Sequence, residues 1–310
     1  MGKIIIFYKY IDLENPQEIV NWQKEICSNL NLKGRILIAS EGINGTLGGT
    51  LQEINEYKKI MHEQDLFKDV EFKESDGGAQ FFPRLSVKLK QEIVKLGIDP
   101  KVISYKNTGK HLSADEIHNL FEKKSKDLVV LDTRNNFESR VGKFKDAIIP
   151  DIEYFRQLPE FIDKNLELFK DKEVLMYCTA GVRCERATAY LKSKEIAKEV
   201  YQIDGGIHKY IEKYPDGYYR GKNYVFDGRL AVAPNNDILA NCMGCNISYD
   251  EYTNCINAKC NKQLILCPQC LSNFNNTCSL QCAELIKNQM TNIRTVPAKV
   301  NCNLAKSDDV

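Results

Sequence analysis

Cys178 heads a short segment, Cys178-Thr179-Ala180-Gly181-Val182-Arg183, that holds the residues needed for thiolate chemistry. The apolar run Val174-Leu175-Met176-Tyr177 before it reads as a buried strand, and Glu185-Arg186-Ala187-Thr188-Ala189-Tyr190-Leu191 after it reads as a helix. The thiol is therefore expected at the carboxyl end of a strand and beside a helix N-terminus, where ligands bind in open α/β sheets. Unpaired N–H groups and the helix dipole favour an anion there, so the pKa of Cys178 should fall below the free-cysteine value of about 8.5, with Arg183 and Arg186 adding positive charge. The competing reading is an inert cysteine buried at a strand end. Cys184 is either a resolving thiol for oxidised or persulfidated Cys178 or a side chain packed beneath the helix. Asp132 and Arg134 follow a second apolar run, Leu128-Val129-Val130-Leu131, and could reach the same cleft, as an ion pair that fixes the loop or as catalytic groups.

A second constellation lies toward the C-terminus. Cys242-x2-Cys245, Cys255-x4-Cys260, Cys267-x2-Cys270 and Cys278-x3-Cys282 form four close pairs within 41 residues. Two tetrahedral zinc sites with four thiolates each would use all eight and leave no open coordination position, which points to a structural role for about two zinc ions. So few large apolar residues lie in this segment that it has little else to fold around. Four disulfides are the alternative, and spacing leaves open which pairs would share an ion.

The elements that must position these groups can be read from periodicity. Up to about Gly97 the pattern is β-α-β-β-α-β: strand Lys3 to Tyr10, helix Pro16 to Leu30, strands Arg35 to Ala39 and Ile43 to Leu47, helix Leu51 to Gln64, and a strand near Val70 to Lys73. In Arg84-Leu85-Ser86-Val87-Lys88-Leu89-Lys90, a period of two puts Leu85, Val87 and Leu89 on one face and a row of cations on the other. That row is either a solvated edge protected by lysine or a strip, Arg84, Lys88 and Lys90, that contacts RNA phosphates. Ser113 and Glu116 form a capping box at the start of a helix. Beyond it, short apolar runs alternating with helices imply a parallel sheet.

The fold class expected is thus α/β and α+β: a ferredoxin-like domain over residues 1–97, a linker and capping helix over 98–125, a parallel α/β catalytic domain over 126–225, the cysteine-rich segment over 226–285 and a disordered tail over 286–310. At 310 residues, two or three units are the prior. Hydrophobic residues at 43% and charged residues at 27% suit a soluble protein, and no apolar run approaches the roughly 18 residues that span a bilayer, so no membrane anchor is expected. The start has no signal-peptide pattern, leaving the cytoplasm as the expected location. Of the 12 cysteines, only Cys27 falls in the first 177 residues, which speaks against a secreted disulfide scaffold. A formal net charge of +1 means that any RNA site must be a local patch.

Cys178 to Arg183, with Leu131-Asp132-Thr133-Arg134 upstream and Ile203-Asp204-Gly205-Gly206 downstream, resembles the rhodanese domain over roughly Lys126 to Tyr214, making the central domain rhodanese-like. The related cysteine phosphatases have arginine six positions after the cysteine. Here that position is Cys184 and Arg183 comes one earlier, a shorter loop that suits sulfur chemistry over phosphate-ester hydrolysis. Gly34-Arg35 to Asn44-Gly45-Thr46, the Cys-Thr-x-Gly-x-Arg-Cys-Glu loop, Tyr224-Val225-Phe226-Asp227-Gly228-Arg229 and the cysteine-rich tail occur in one order, an architecture similar to the tRNA uridine hydroxylase family over residues 1 to about 285. That resemblance implies tRNA as partner and oxygen-dependent conversion of the wobble uridine to 5-hydroxyuridine, with molecular oxygen as co-substrate. Ala180 stands where the family often has glycine, and Asp146 lies in a stretch that is usually closer to Gly-x-Phe-x-Gly-Ala. The second hypothesis is a rhodanese-like sulfurtransferase acting through a Cys178 persulfide. The third is an RNA-binding module with a vestigial loop, against which the intact Cys178 and Arg183 speak. The sequence contains no iron facial triad, dinucleotide fingerprint or flavin motif, so the electron donor stays unassigned, as does the oligomeric state.

Overall fold

The computed structural model describes residues 2–260 and 262–293, and the chain divides into two compact units, Met1–Asn136 with Phe144–Tyr218, and Phe137–Lys143 with Tyr219–Val310. The first unit begins with β1 (Gly2–Tyr10), α1 (Pro16–Asn29), β2 (Lys33–Ala39), β3 (Gly42–Thr50), α2 (Leu51–His62) and β4 (Phe72–Gly77), the βαββαβ order expected. Pro16 opens α1, where its missing N–H is one the helix would leave unpaired anyway. Thr50 and Glu53 close a capping box at the start of α2. The sheet runs β4-β1-β3-β2 antiparallel, and β5 (Leu85–Leu89) adds a parallel edge beside β2. Val20, Ile26 and Cys27 of α1 and Ile54, Tyr57 and Met61 of α2 bury against Phe7, Ile36, Ile38 and Leu47 of the sheet.

On β5 and at its two ends, Arg84, Lys88 and Lys90 are exposed and Val87 is buried. Leu89 departs from the expected alternation: it is 45% exposed, because it sits at the last pair of an edge strand, opposite Ile38.

The chain continues with β6 (Lys110–Leu112), α3 (Ala114–Glu122), β7 (Leu128–Asp132), α4 (Asn136–Ser139), β8 (Gly142–Phe144), α5 (Leu158–Lys164), β9 (Glu173–Tyr177), α6 (Val182–Lys192), β10 (Glu199–Ile203) and α7 (Gly206–Lys213), all in the first unit except α4 and β8, which fall mostly in the second. The four-stranded sheet β6-β10-β9-β7 is parallel throughout. Its central strands are buried on both faces, as their unbroken apolar runs require. The capping box at α3 forms as read, Ser113 N–H donating to Glu116 Oε2 at 2.8 Å and Glu116 N–H to Ser113 Oγ at 3.3 Å. The stretch 98–125, expected to be a linker and a helix, also contributes β6 to the sheet, while Ile103 packs into the core with Leu131 and Met176. Lys110-His111-Leu112 has one apolar residue and no period to read, so only its pairing with β10 makes it a strand. Asp146 adopts φ +58°, a left-handed turn conformation that aspartate tolerates better than most residues, which keeps the turn that glycine usually serves.

The second unit contains β11 (Tyr219–Gly221), β12 (Asn223–Tyr224), β13 (Ala231–Val232), β14 (Tyr252–Asn254), β15 (Gln263–Ile265), α8 (Pro268–Asn273) and α9 (Leu280–Lys287). Its apolar cores are small. One gathers Val141, Tyr224, Ala240, Tyr252 and Ile265, and the other surrounds cysteine side chains with Leu264 and Leu266. Asp227 and Arg229 form a buried bidentate pair, with Arg229 Nε–H donating to Oδ1 at 2.8 Å and Nη2–H to Oδ2 at 2.6 Å. Of the expected tail over 286–310, residues 294–310 lie outside the described residues. Among the described residues no helix is long and apolar enough to cross a membrane.

Candidate active site and cysteine clusters

β9 delivers Cys178 to the centre of the parallel sheet, and the chain bends through Gly181, at φ +104°, into α6. The sulfur of Cys178 is buried and accepts a hydrogen bond from Gly181 N–H at 3.1 Å. Burial works against its ionisation. The Cys184 thiol, the charge of Arg183 and the backbone N–H groups of Arg183 and Cys184 outweigh that and bring its pKa down to about 5. The inert-cysteine reading required a raised pKa, and the loop produces the opposite. Arg183 itself is anchored by donating to Thr179 Oγ1 at 3.3 Å.

The turn after β10 holds the loop from its other side. Ile207 N–H donates to Cys178 O and His208 N–H to Thr179 O, both at 3.0 Å. Gly206, at φ +69°, is required there, since a Cβ would stand 2.6 Å from Cys178 O and 2.7 Å from Gly181 N. The Asp204-Gly205-Gly206 stretch thus acts as a backbone cradle for the loop.

Asp132 and Arg134 are both fully buried and bonded to each other, Nη2 to Oδ2 at 2.7 Å and Nε to Oδ1 at 2.9 Å, with Arg134 N–H also donating to Asp132 Oδ1 at 2.9 Å. That geometry fixes the chain after β7. Cys184, on the first turn of α6, is buried, has its sulfur 3.7 Å from Thr133 Oγ1 and hydrogen-bonds Cys178. Its thiol keeps its proton, because burial and then the neighbouring Cys178 push its pKa up. It therefore packs beneath the helix and lies within reach of the Cys178 sulfur, and both readings of it remain.

Arg186 does not add charge at Cys178, contrary to the expectation. It is buried, donates from Nη1 to Glu41 Oε2 at 2.7 Å and from Nη2 to Ile98 O at 2.6 Å, and has Glu92 at 3.5 Å. One turn into a helix, the side chain points away from the strand-end loop and ties α6 to the β2–β3 turn. Glu41→Ala should destabilise the protein by about 3 kcal/mol, the cost of leaving a buried arginine without its main counter-ion, read as a lowered midpoint in urea unfolding. A shift below 1 kcal/mol would mean that Glu92 takes over the pairing.

No local pattern in the chain indicates that the ferredoxin-like domain reaches the loop. Tyr8 of β1 stands against it so closely that a Cβ on Gly181 would lie 2.6 Å from its hydroxyl, and Tyr10 donates to Val182 O at 3.1 Å. Lys73 of β4 places its ammonium 5.3 Å from the centre of the Tyr8 ring. Glu185 of α6 accepts hydrogen bonds from Tyr8 and Gln202 and meets His111 of β6. Only Glu185 had a local signal, its place in the Cys-Thr-x-Gly-x-Arg-Cys-Glu run. The strip of Arg84, Lys88 and Lys90 lies along β5, an edge strand of the five-stranded sheet.

In the second unit the eight cysteines resolve into two sets, Cys242, Cys245, Cys267 and Cys270, and Cys255, Cys260, Cys278 and Cys282, with the sulfurs of each set within 4.8 Å of one another. In chain order one set takes the first and third cysteine pairs and the other the second and fourth, so the two sets interleave along the chain. Cys245 to Cys267 and Cys260 to Cys278 are 3.7 Å sulfur to sulfur. A disulfide needs about 2.05 Å, whereas sulfurs at 2.3 Å around a tetrahedral zinc are about 3.8 Å apart. Backbone N–H groups of Gly244 and Cys267 donate to Cys242 Sγ at 3.4 and 3.2 Å, the bonding that thiolate ligands attract. Both sets could therefore bind a metal ion.

A thiolate at the end of a parallel strand, held by the N–H groups of a helix N-terminus, defines the central domain as rhodanese-like. Residues 2–93 match the family described as the UPF0176 acylphosphatase like domain, residues 113–213 the rhodanese-like domain and residues 220–283 the rhodanase C-terminal family. A protein of Corynebacterium jeikeium (strain K411) named tRNA uridine(34) hydroxylase is 40% identical over 296 residues, 91% of this chain and 94% of that one. One of the same name from Corynebacterium urealyticum (strain ATCC 43042 / DSM 7109) is 40% identical over 285 residues, 89% of this chain and 96% of that one. The chain belongs to the tRNA uridine(34) hydroxylase family.

Proposed function

We infer that this protein is a tRNA-modifying hydroxylase that converts uridine at the wobble position to 5-hydroxyuridine. The observation that carries the reading is the match to relatives of that name along nearly their whole length, with an ionised cysteine at the end of β9. It also favours hydroxylation over the sulfurtransferase alternative, which rests on the rhodanese-like domain alone. Cells lacking the gene should lose 5-hydroxyuridine from their tRNA, measured by nucleoside mass spectrometry, and regain it with the intact gene. An unchanged level would refute the assignment.

In this reading Cys178 is the nucleophile. C5 of uracil is a poor nucleophile until something adds at C6, and addition of the thiolate there makes an enolate whose C5 can attack an oxygen species. Molecular oxygen is the co-substrate, with a two-electron donor outside the chain. Arg183 holds Cys178 ionised, and Asp132, Arg134 and Arg186 are positioning residues. The eight cysteines of the second unit suit two structural zinc ions, since four thiolates per set leave no position for substrate. A tRNA substrate supports a cytoplasmic location.

Exposure of Arg84, Lys88 and Lys90 on one edge strand supports a phosphate-contacting role. Replacing Lys88 and Lys90 by glutamate should weaken tRNA binding and lower the slope of log affinity against log salt by about 0.7 to 0.9 per lost contact. Reactivity of Cys178 toward iodoacetamide should be unaffected. Unchanged affinity and slope in the folded variant would return the strip to edge protection.

A further inference from the structure

Three side chains from three separate elements meet in a line that runs from the Cys178 loop outward. Tyr8 of β1 presses its hydroxyl against Gly181 and donates to Glu185 Oε1 at 3.3 Å. His111 Nε2 of β6 reaches the same Oε1 at 2.9 Å, and the imidazole is 43% exposed. Gln202 of β10 donates to the other oxygen, Oε2, at 3.1 Å, so the carboxylate cannot turn away. Glu185 is nearly buried, and a carboxylate with three polar partners between a reactive loop and solvent has more than a structural tie requires.

We propose that Tyr8, Glu185 and His111 form a proton relay that carries the hydrogen on C5 of the uracil between the Cys178 adduct and solvent. The proposal rests on the reading of Cys178 as the nucleophile toward C6. In the adduct C6 bears sulfur and C5 is saturated, bearing its hydrogen and either the new hydroxyl or, when no oxygen is supplied, a second hydrogen. Tyr8 Oη takes that proton while passing its own to Glu185 Oε1, the C5–H electron pair forms the C5=C6 bond, and the C6–S bond breaks to return the thiolate to Cys178. Neutral His111 then accepts the proton from Glu185 at Nε2 and releases it to solvent. The reverse sequence adds a proton to C5 when the thiolate adds at C6. Neither direction needs an oxidant.

The charges around the relay agree with those roles. Burial, and then Glu185, Cys178 and Cys184, keep Tyr8 protonated, with Tyr10 and Lys73 also beside the ring. The hydrogen bond to Glu185 raises the pKa of His111 against burial, and Asp204 adds to it. Below that raised pKa the imidazolium donates to Glu185 and cannot accept, so the relay should speed up as pH rises through it and then level off.

Because the steps are redox-neutral, the intact enzyme and a tRNA with uridine at position 34 should exchange the C5 hydrogen with D2O in the absence of oxygen and reductant. Tyr8→Phe should slow exchange by about 10²-fold, the scale of a lost general acid–base group, with tRNA affinity and Cys178 alkylation retained. His111→Gln should flatten the rising limb of the pH profile. Wild-type exchange by Tyr8→Phe, an unaltered limb in His111→Gln, or no exchange by the intact enzyme would each overturn the relay. Cys178→Ser separates the two claims. If it still hydroxylates tRNA, the nucleophile reading fails and the relay with it, whereas an inactive Cys178→Ser beside an unimpaired Tyr8→Phe removes the relay alone.

Discussion

Cys178→Ser should abolish formation of 5-hydroxyuridine, a loss of about 10⁴-fold or more on the scale of nucleophile removal in other enzymes, while leaving the protein folded. The hydroxyl is close to the thiol in size, so a fully buried site keeps its packing, and Gly181 N–H keeps an acceptor. What disappears is the anion. A pKa of about 5 makes the sulfur a thiolate at neutral pH, and no comparable shift would ionise a serine. Alkylation of the wild-type protein by iodoacetamide should accordingly titrate with a midpoint near 5. In Arg183→Ala the midpoint should rise toward the free-cysteine value of about 8.5, because the guanidinium charge beside the thiolate is gone. Retained hydroxylation by Cys178→Ser would remove the covalent role. Cys184→Ser should be milder, since it replaces a thiol donor to the thiolate by a hydroxyl donor and leaves the nucleophile in place, and an equal loss in both variants would point to an obligatory disulfide cycle.

The purified protein should carry about two zinc ions per chain, and stripping them should unfold the second unit. The apolar clusters there are small, and the cysteines themselves make up much of one of them. Structural zinc in small cysteine-ligated domains contributes on the order of 10 kcal/mol of folding free energy, more than such cores supply. The measurable consequences are metal content by elemental analysis and, after chelation, rapid proteolysis between residues 219 and 293 with Cys178 still reactive. Absence of zinc together with eight fewer free thiols would show disulfides in place of the two sets. Retention of protease resistance after complete removal of metal would show that the segment folds without it.

Spacing and period within a few turns of chain were enough to read several parts of this protein. The strand-loop-helix around Cys178 is legible because an apolar run, a glycine and a helix-forming stretch follow one another directly. The capping box at Ser113 and Glu116 and the βαββαβ order are legible for the same reason, since each is a short-range pattern that the backbone obeys locally. The cysteine pairs announced a metal-type site, but not its partition: that Cys242 and Cys245 join Cys267 and Cys270, across the intervening Cys255 and Cys260, follows from how β14, β15 and α8 fold back. Arg186 looked like a second charge for the thiolate, and only the packing of α6 on the ferredoxin-like domain sends it to Glu41, 145 residues away in the chain. Tyr8, Lys73 and His111 had no local signal, because nothing in a strand's own sequence tells which distant loop its side chains will meet. Such contacts form where two separately legible elements are pressed together by their apolar faces, and that pairing is decided by the tertiary structure alone.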